Sequence, residues 1–230
     1  MIPSPPHDFP LEILYEDNHC LAVCKPAGIL VHADRSGDST LEQVVREYLR
    51  RRYGKRGRVY VGVVHRLDRP VSGVVLFART DKAAARLAAQ FRAGRVRKRY
   101  VALVESSPPA VDGVLVHHLR KDPRTNRTRP VPADTPGSRL ARLRYRVLEA
   151  HRRGTLVEVW PETGRPHQIR VQLAAVGAVI AGDLRYGSRR KLGPMIALHA
   201  TRLEFEHPIR GEMVAVESPL PPSWQALLRG

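Results

Sequence analysis

Val59-Tyr60-Val61-Gly62-Val63-Val64-His65-Arg66-Leu67-Asp68-Arg69-Pro70-Val71-Ser72-Gly73-Val74-Val75-Leu76-Phe77-Ala78 places a charged, turn-forming segment between two short apolar runs. Both runs are rich in β-branched or aromatic residues and have the length of strands. The pattern therefore predicts two strands joined by a loop over residues 65–73. Loops held by flanking sheet commonly carry a protein's chemistry, and the one acidic residue inside this basic loop, Asp68, is the group to explain. On the loop alone, a structural ion pair between Asp68 and Arg66 or Arg69 fits as well as a functional carboxylate.

Outward from this loop the spacing predicts helices on either side. Ser39 or Thr40 caps a segment carrying Leu41, Val44, Val45, Tyr48 and Leu49, closed by Gly54 after the basic turn Arg50-Arg51-Arg52. Thr80-Asp81 opens an Ala-rich helix with Ala84, Leu87, Ala88 and Phe91 on one face before Gly94. A third helix begins near Pro166 and carries Ile169, Leu173 and Val176 before Gly177. Residues 99–104, 142–147, 155–160, 195–200, 203–206 and 214–217 read as strands. Strands come in runs rather than alternating one for one with helices, so the expected class is α+β, a mixed, largely antiparallel sheet with flanking helices. Residues 121–130 lack apolar periodicity, contain many breakers and read as an exposed basic loop.

The balance of 39 basic against 22 acidic residues gives a net charge of +17 and a pI near 10.9, which suits a polyanionic partner, nucleic acid first. No apolar run approaches the roughly 18 residues of a spanning helix, and no basic amphipathic segment opens the chain. The proline-rich start Met1-Ile2-Pro3-Ser4-Pro5-Pro6 lacks the charged head and apolar middle of a signal peptide, which points to the cytoplasm and to no membrane partner. Cys20 and Cys24 fit neither a zinc ribbon nor a disulfide scaffold and read as small core residues. The histidines are dispersed without a helical zinc pattern, so no metal is expected.

Several separated segments together resemble the RluA family of RNA pseudouridine synthases: Lys25-Pro26-Ala27-Gly28, His65-Arg66-Leu67-Asp68, Lys98-Arg99-Tyr100-Val101-Ala102, Thr163-Gly164-Arg165-Pro166-His167-Gln168-Ile169-Arg170, Gly182-Asp183-Leu184-Arg185-Tyr186-Gly187 and Leu198-His199-Ala200. The resemblance spans nearly the whole chain. Departures are Val71 and Pro166, where relatives usually carry Thr and Thr or Ser, and Gly177-Ala178-Val179-Ile180 in place of Gly-His-Pro-Ile. It implies the pseudouridine synthase fold around a central RNA-binding cleft, with residues 1–20 as an N-terminal extension and 21–230 as the catalytic domain. The small RNA-binding domain that some relatives carry upstream is expected to be absent, leaving the catalytic domain to find its RNA unaided.

The resemblance also implies roles. Asp68 matches the essential aspartate, acting as a nucleophile toward sugar or base or as a base toward a ribose proton. Arg165 matches the arginine that pairs with it; such a neighbour typically lowers a carboxylate pKa by roughly 1–3 units. Tyr100 matches the tyrosine that stacks on the extruded uracil. Arg66 is matched to the arginine that enters the vacated stack, with a phosphate contact as the alternative. Ile169 and Leu198 resemble apolar residues closing the pocket, with plain core packing as the alternative, and His65, Lys98 and Arg170 are implied as substrate contacts. Breaking the N1 glycosidic bond, turning the base and rejoining it through C5 is an isomerisation, so no cofactor is implied, and a lone carboxylate sets it apart from the paired acids of glycosidases. The implied partner is a stem-loop of ribosomal or transfer RNA, with no obligate protein partner. Arg92, Arg95, Arg97, Lys98 and residues 120–129 would supply salt-sensitive phosphate binding.

Overall fold

The computed structural model describes residues 10–34 and 37–228; the proline-rich start up to Phe9 lies outside the described residues. In chain order the first elements are β1 (Glu12–Glu16), β2 (Cys20–Lys25), α1 (Leu41–Arg52), β3 (Gly62–Val63), β4 (Ser72–Ala78) and α2 (Asp81–Arg92). There follow β5 (Arg97–Val104), β6 (Asp112–Asp122), β7 (Arg127–Val131), β8 (Arg139–His151), β9 (Gly154–Pro161) and α3 (Gln168–Ala175). A 3-10 turn (Leu184–Tyr186), β10 (Leu198–Glu206), β11 (Met213–Glu217) and α4 (Ser223–Leu228) complete the chain. The class is α+β with a mixed, largely antiparallel sheet, as the run of strand patterns predicts. Among the described residues no helix is long and apolar enough to cross a membrane.

The chain divides into two compact units, the first Met1–Val96 with Arg202–Ser218, the second Arg97–Thr201 with Pro219–Gly230. In the first unit β1 pairs with β2, β2 with β4, β3 with β4, and β10 with β11, each antiparallel. β1 lies inside the stretch 1–20 that the sequence sets apart as an extension, and pairs Glu12 with Cys24 and Glu16 with Leu21. Every residue of β4 is buried, and Val74, Leu76 and Ala78 pack with Cys20, Ala22, Leu87 and Phe205 in one apolar cluster. Of the expected strand over 59–64 only Gly62 and Val63 join a ladder, although Val59 and Val61 are buried.

Helix ends follow their side chains. Thr40 Oγ1 accepts from Gln43 N–H at 3.3 Å while Gln43 Oε1 accepts from Thr40 N–H at 2.9 Å, a reciprocal cap that starts α1. Thr80 Oγ1 accepts from Ala83 N–H at 3.2 Å and starts α2. α2 buries Gln90 along with Leu87 because the Gln90 amide donates to Glu206 O at 2.8 Å and accepts from Glu206 N–H at 3.0 Å.

The second unit carries an antiparallel run in which β5 pairs with β9, β9 with β8, β8 with β6 and β6 with β7. The exposed loop expected over 121–130 is instead the tip and return strand of a hairpin, with Asp122 opposite Arg127 and His118 opposite Val131. Asp122 shapes the turn by accepting from Arg124 N–H at 2.9 Å and Thr125 Oγ1 at 2.8 Å, and Asn126 takes a left-handed φ of 52°. β7 ends the strand order, and an edge strand of this kind keeps its ladder without an apolar alternation and tolerates Pro130. α3 is buried from Gln168 through Leu173, so its expected amphipathic face is not seen; a helix packed on several sides needs none.

Gly154 follows the β8–β9 turn with φ +146°, and a Cβ there would stand 2.3 Å from the carbonyl oxygen of Val104. The backbones approach too closely for any side chain. Gly154→Ala is therefore expected to lower the unfolding free energy by about 1–3 kcal/mol. Urea unfolding checks this, and an unchanged midpoint would show that the β5–β9 contact yields freely.

Candidate active site

The loop from His65 to Val71 connects β3 to β4 and is fixed at two points. At its start, the His65 ring stacks on Phe91 with centroids 4.6 Å apart and planes 18° apart. His65 Nε2 accepts from Leu76 N–H at 2.9 Å, which leaves the neutral ring's proton on Nδ1. Leu67 is buried between these points and Asp68 is half-buried. The turn closes with Val71 N–H donating to Asp68 O at 3.0 Å.

At the far end the anchor is the Lys-Pro-x-Gly turn. Lys25 is fully buried, and its Nζ donates to Ile29 O at 2.9 Å, Pro26 O at 3.0 Å and Arg69 O at 3.1 Å. Gly28, at φ +93°, also donates its N–H to Arg69 O, at 2.8 Å. Burial brings the Lys25 pKa down to about 7 against the opposing pull of the Asp68 carboxylate. Arg69, one of the arginines that the sequence offers to Asp68, donates from Nε to Gly28 O at 2.9 Å and pairs with Asp38 at 2.6 Å. Arg66 is exposed. The first unit thus brings Lys25, Gly28, His65, Asp68 and Arg69 into one cluster.

The second unit holds the remaining expected residues. Tyr100 lies on β5 opposite Val159 and is half-buried. Two residues earlier Lys98 donates from Nζ to Thr163 O at 3.3 Å, and burial lowers its pKa. The segment from Thr163 to Arg165 is organised by buried Gln168, whose Oε1 accepts from Thr163 Oγ1 at 2.7 Å and from Arg165 N–H at 2.9 Å. Its Nε2 donates to Arg142 O at 3.0 Å. Arg165 is half-buried, with Nε donating to Leu140 O at 2.8 Å. Ile169 and Leu198 are 7% and 3% exposed and belong to the buried set.

Arg170, expected to touch substrate, is buried and held bidentate by Asp183, at 2.7 and 2.8 Å. Its guanidinium also lies 5.0 Å from the Tyr186 ring centroid. Tyr186 Oη accepts from Thr128 N–H at 3.0 Å and is hydrogen-bonded to His167 Nδ1 at 2.7 Å, tying β7 to the start of α3. His167 takes a left-handed φ of 54°, which sets the helix start two residues after the expected Pro166. The sequence reading assigned no role to Lys25, Gln168, Asp183 or Tyr186. Only Lys25 carried a local signal, a lysine closing the apolar run Leu21-Ala22-Val23-Cys24 just before Pro26.

Among the described residues, Asp17, Cys20 and His207 place potential metal-binding atoms within 4.8 Å of one another. The donors are already used. Burial works against the Asp17 charge, but the N–H groups of His19 and Cys20, with Tyr15 and His207, outweigh it and bring the carboxyl down to about 2. Arg210 also pairs with that carboxylate at 3.0 Å. His207 Nδ1 accepts from Arg210 N–H at 2.9 Å, so Nε2 carries the proton donated to Asp17, and burial pushes the Cys20 thiol up to about 12. This cluster is a polar lock between β1, β2 and the turn after β10 and does not fit a cation.

Residues 19–175 match the family of RNA pseudouridylate synthases. Over 235 residues the chain is 35% identical to ribosomal large subunit pseudouridine synthase D of Zymomonas mobilis, spanning 97% of this chain and 74% of that one. It is 36% identical over 223 residues to an uncharacterized RNA pseudouridine synthase of Bacillus subtilis, spanning 95% and 72%. In structure it is similar to human RNA pseudouridylate synthase domain containing 4, with a TM-score of 0.78 at 24% identity over 95% of this chain and 92% of that one, a likeness of fold. The family match over most of the chain, together with relatives of this identity along nearly its whole length, places it among the RNA pseudouridylate synthases, as the resemblance to RluA implied: it is an enzyme that isomerises uridine in RNA.

Proposed function

We propose that this enzyme converts a uridine of large-subunit ribosomal RNA to pseudouridine in the cytoplasm, with Asp68 as the essential carboxylate and Tyr100 and Arg165 as its partners at the base. The observation that carries this reading is the double anchoring of the Asp68 loop, at His65 and at Arg69 O. A reacting carboxylate must be held where the sugar and base will lie, and fixed geometry supplies much of a catalyst's advantage. The Lys25 side chain, buried beside this loop, ties the Lys-Pro-x-Gly turn to the carbonyl next to Asp68. The ribosomal target is supported by the name of the Zymomonas mobilis relative.

Uracil stacked in RNA must leave the stack to be turned, at the expense of a few kcal/mol. Tyr100 offsets part of that by stacking on the base, a contact worth on the order of 1–3 kcal/mol, and exposed Arg66 fills the gap. Ile169 and Leu198 close the apolar side, Lys98 draws the phosphate, and His65 positions the loop. The N1–C1′ bond breaks, the C5–C1′ bond forms, and C5 gives up its proton as N1 gains one, so the product is an isomer of the substrate. The reaction needs no cofactor, and activity should survive an excess of chelator; loss restored by one particular metal would refute that.

Pseudouridine mapped across ribosomal RNA from cells with and without this protein should differ at one or a few large-subunit sites, and identical maps would overturn the assignment. Asp68→Asn should abolish turnover while keeping the fold and most RNA affinity. Lys25→Met should reduce kcat about tenfold or more at a nearly unchanged RNA affinity and lower the unfolding free energy by about 1.5–3 kcal/mol, the scale of a hydrogen bond to a charged group. A wild-type kcat in that variant would detach the Lys-Pro-x-Gly turn from the chemistry.

A further inference from the structure

Beside Arg66 the first unit contains a groove of about 510 Å³, walled by His32 and Glu42 on one side and by Tyr60 and the stretch 61–65 on the other. Tyr60 is 38% exposed, yet its ring is fixed. A Cβ on Gly62 would come within 2.9 Å of Tyr60 Oη and 3.2 Å of its Cε1, so the bare backbone of Gly62 is the seat on which the ring lies. The hydroxyl is hydrogen-bonded to Asp81 at the start of α2. An aromatic face held in place and open to solvent can stack on a base at little further loss of side-chain freedom.

Charge divides the groove. Lys55, Arg56 and Arg58, all exposed, precede Tyr60 in the chain, and exposed Arg66 lines the groove itself. The opposite wall carries Glu42, which pairs with both His32 and Arg46. A carboxylate there disfavours a phosphate but accepts hydrogen bonds from a base or a ribose hydroxyl.

We propose that this groove holds a nucleotide flanking the target uridine, with Tyr60 stacked on its base and Lys55, Arg56 and Arg58 on the adjoining phosphates. The assignment rests on reading Asp68 as the reacting site, because Arg66 joins the groove to that loop within two residues. The reacting uridine belongs at Asp68; the groove takes its neighbour. Part of the enzyme's choice of target is then made outside the reacting pocket, by a single-stranded base splayed onto Tyr60.

Binding of a fluorescently labelled deca-uridine, followed by anisotropy across a salt series, tests this. Tyr60→Ala should weaken binding about tenfold or more, whereas Tyr60→Phe, which keeps the ring face, should stay within about twofold of wild type. The pair Arg56→Ala and Arg58→Ala, both on exposed positions that cannot unfold the core, should flatten the slope of log affinity against log salt by about 1.4, or roughly 0.7 for each phosphate left without its arginine. Wild-type affinity in Tyr60→Ala, equal losses in the Ala and Phe variants, or an unchanged salt slope in the arginine pair would each overturn the groove. Pseudouridine formation in cellular RNA is measured on the same preparations. No product from the wild-type protein would overturn the reaction and the flanking assignment with it, whereas full turnover with unaltered oligonucleotide binding by Tyr60→Ala overturns the groove alone.

Discussion

An ammonium taken out of water must find an acceptor for each of its three N–H bonds, and Lys25 finds carbonyls on Pro26, Ile29 and Arg69. Desolvation of an ion costs several kcal/mol even after relaxation, so the site is tolerable only while all these contacts hold together. The turn after β2 and the loop after β3 are separate in sequence, yet neither can shift without stranding the charge. Asp68, one residue from the shared carbonyl, inherits that rigidity. A lysine that never reaches solvent thus does for the loop what a disulfide would do elsewhere, with the added effect of a positive charge close to a carboxylate.

The second unit solves the same problem with neutral and paired groups. Gln168 satisfies Thr163, Arg165 and the Arg142 carbonyl with one amide, while Arg170 and Asp183 neutralise each other beneath Tyr186. Fully satisfied buried networks rigidify what they touch, and partly satisfied ones are costly. His167 bears the consequence in its left-handed backbone, held there by the bond to Tyr186. Strain kept by surrounding contacts is a frequent companion of functional segments.

The strands and helices that bury apolar faces were legible in the sequence. Thr40, Thr80 and the i, i+4, i+8 spacing of Leu41, Val45 and Leu49 announce α1 and α2, and the fully apolar run Val74-Val75-Leu76-Phe77 announces β4. What escaped has a common cause: its stability comes from partners distant in sequence. β7 is held by backbone pairing to β6 and by Tyr186, with nothing in its own side chains to mark it. Gln90 and Gln168 look like surface residues until their carbonyl and amide partners are known. The motif resemblance supplied the candidate site residues, but it gave no sign that Arg170 is buried against Asp183.

The edge formed by β7 has a bearing on behaviour in solution. Its outer side is partly covered, since Tyr186 Oη takes the Thr128 N–H, and the remainder would otherwise invite a second copy to add strand to strand, the usual first step of β-mediated aggregation. Arg127, Arg129 and Pro130 sit along it. Pro130 supplies no N–H for such a ladder, and an approaching twin would bring like charge against like, beyond the repulsion from a net +17 overall. Polyanions screen that repulsion. High concentrations without RNA and at moderate ionic strength should therefore keep the molecules apart, while substoichiometric RNA, able to bridge two cationic edges, is the condition under which the protein would come out of solution.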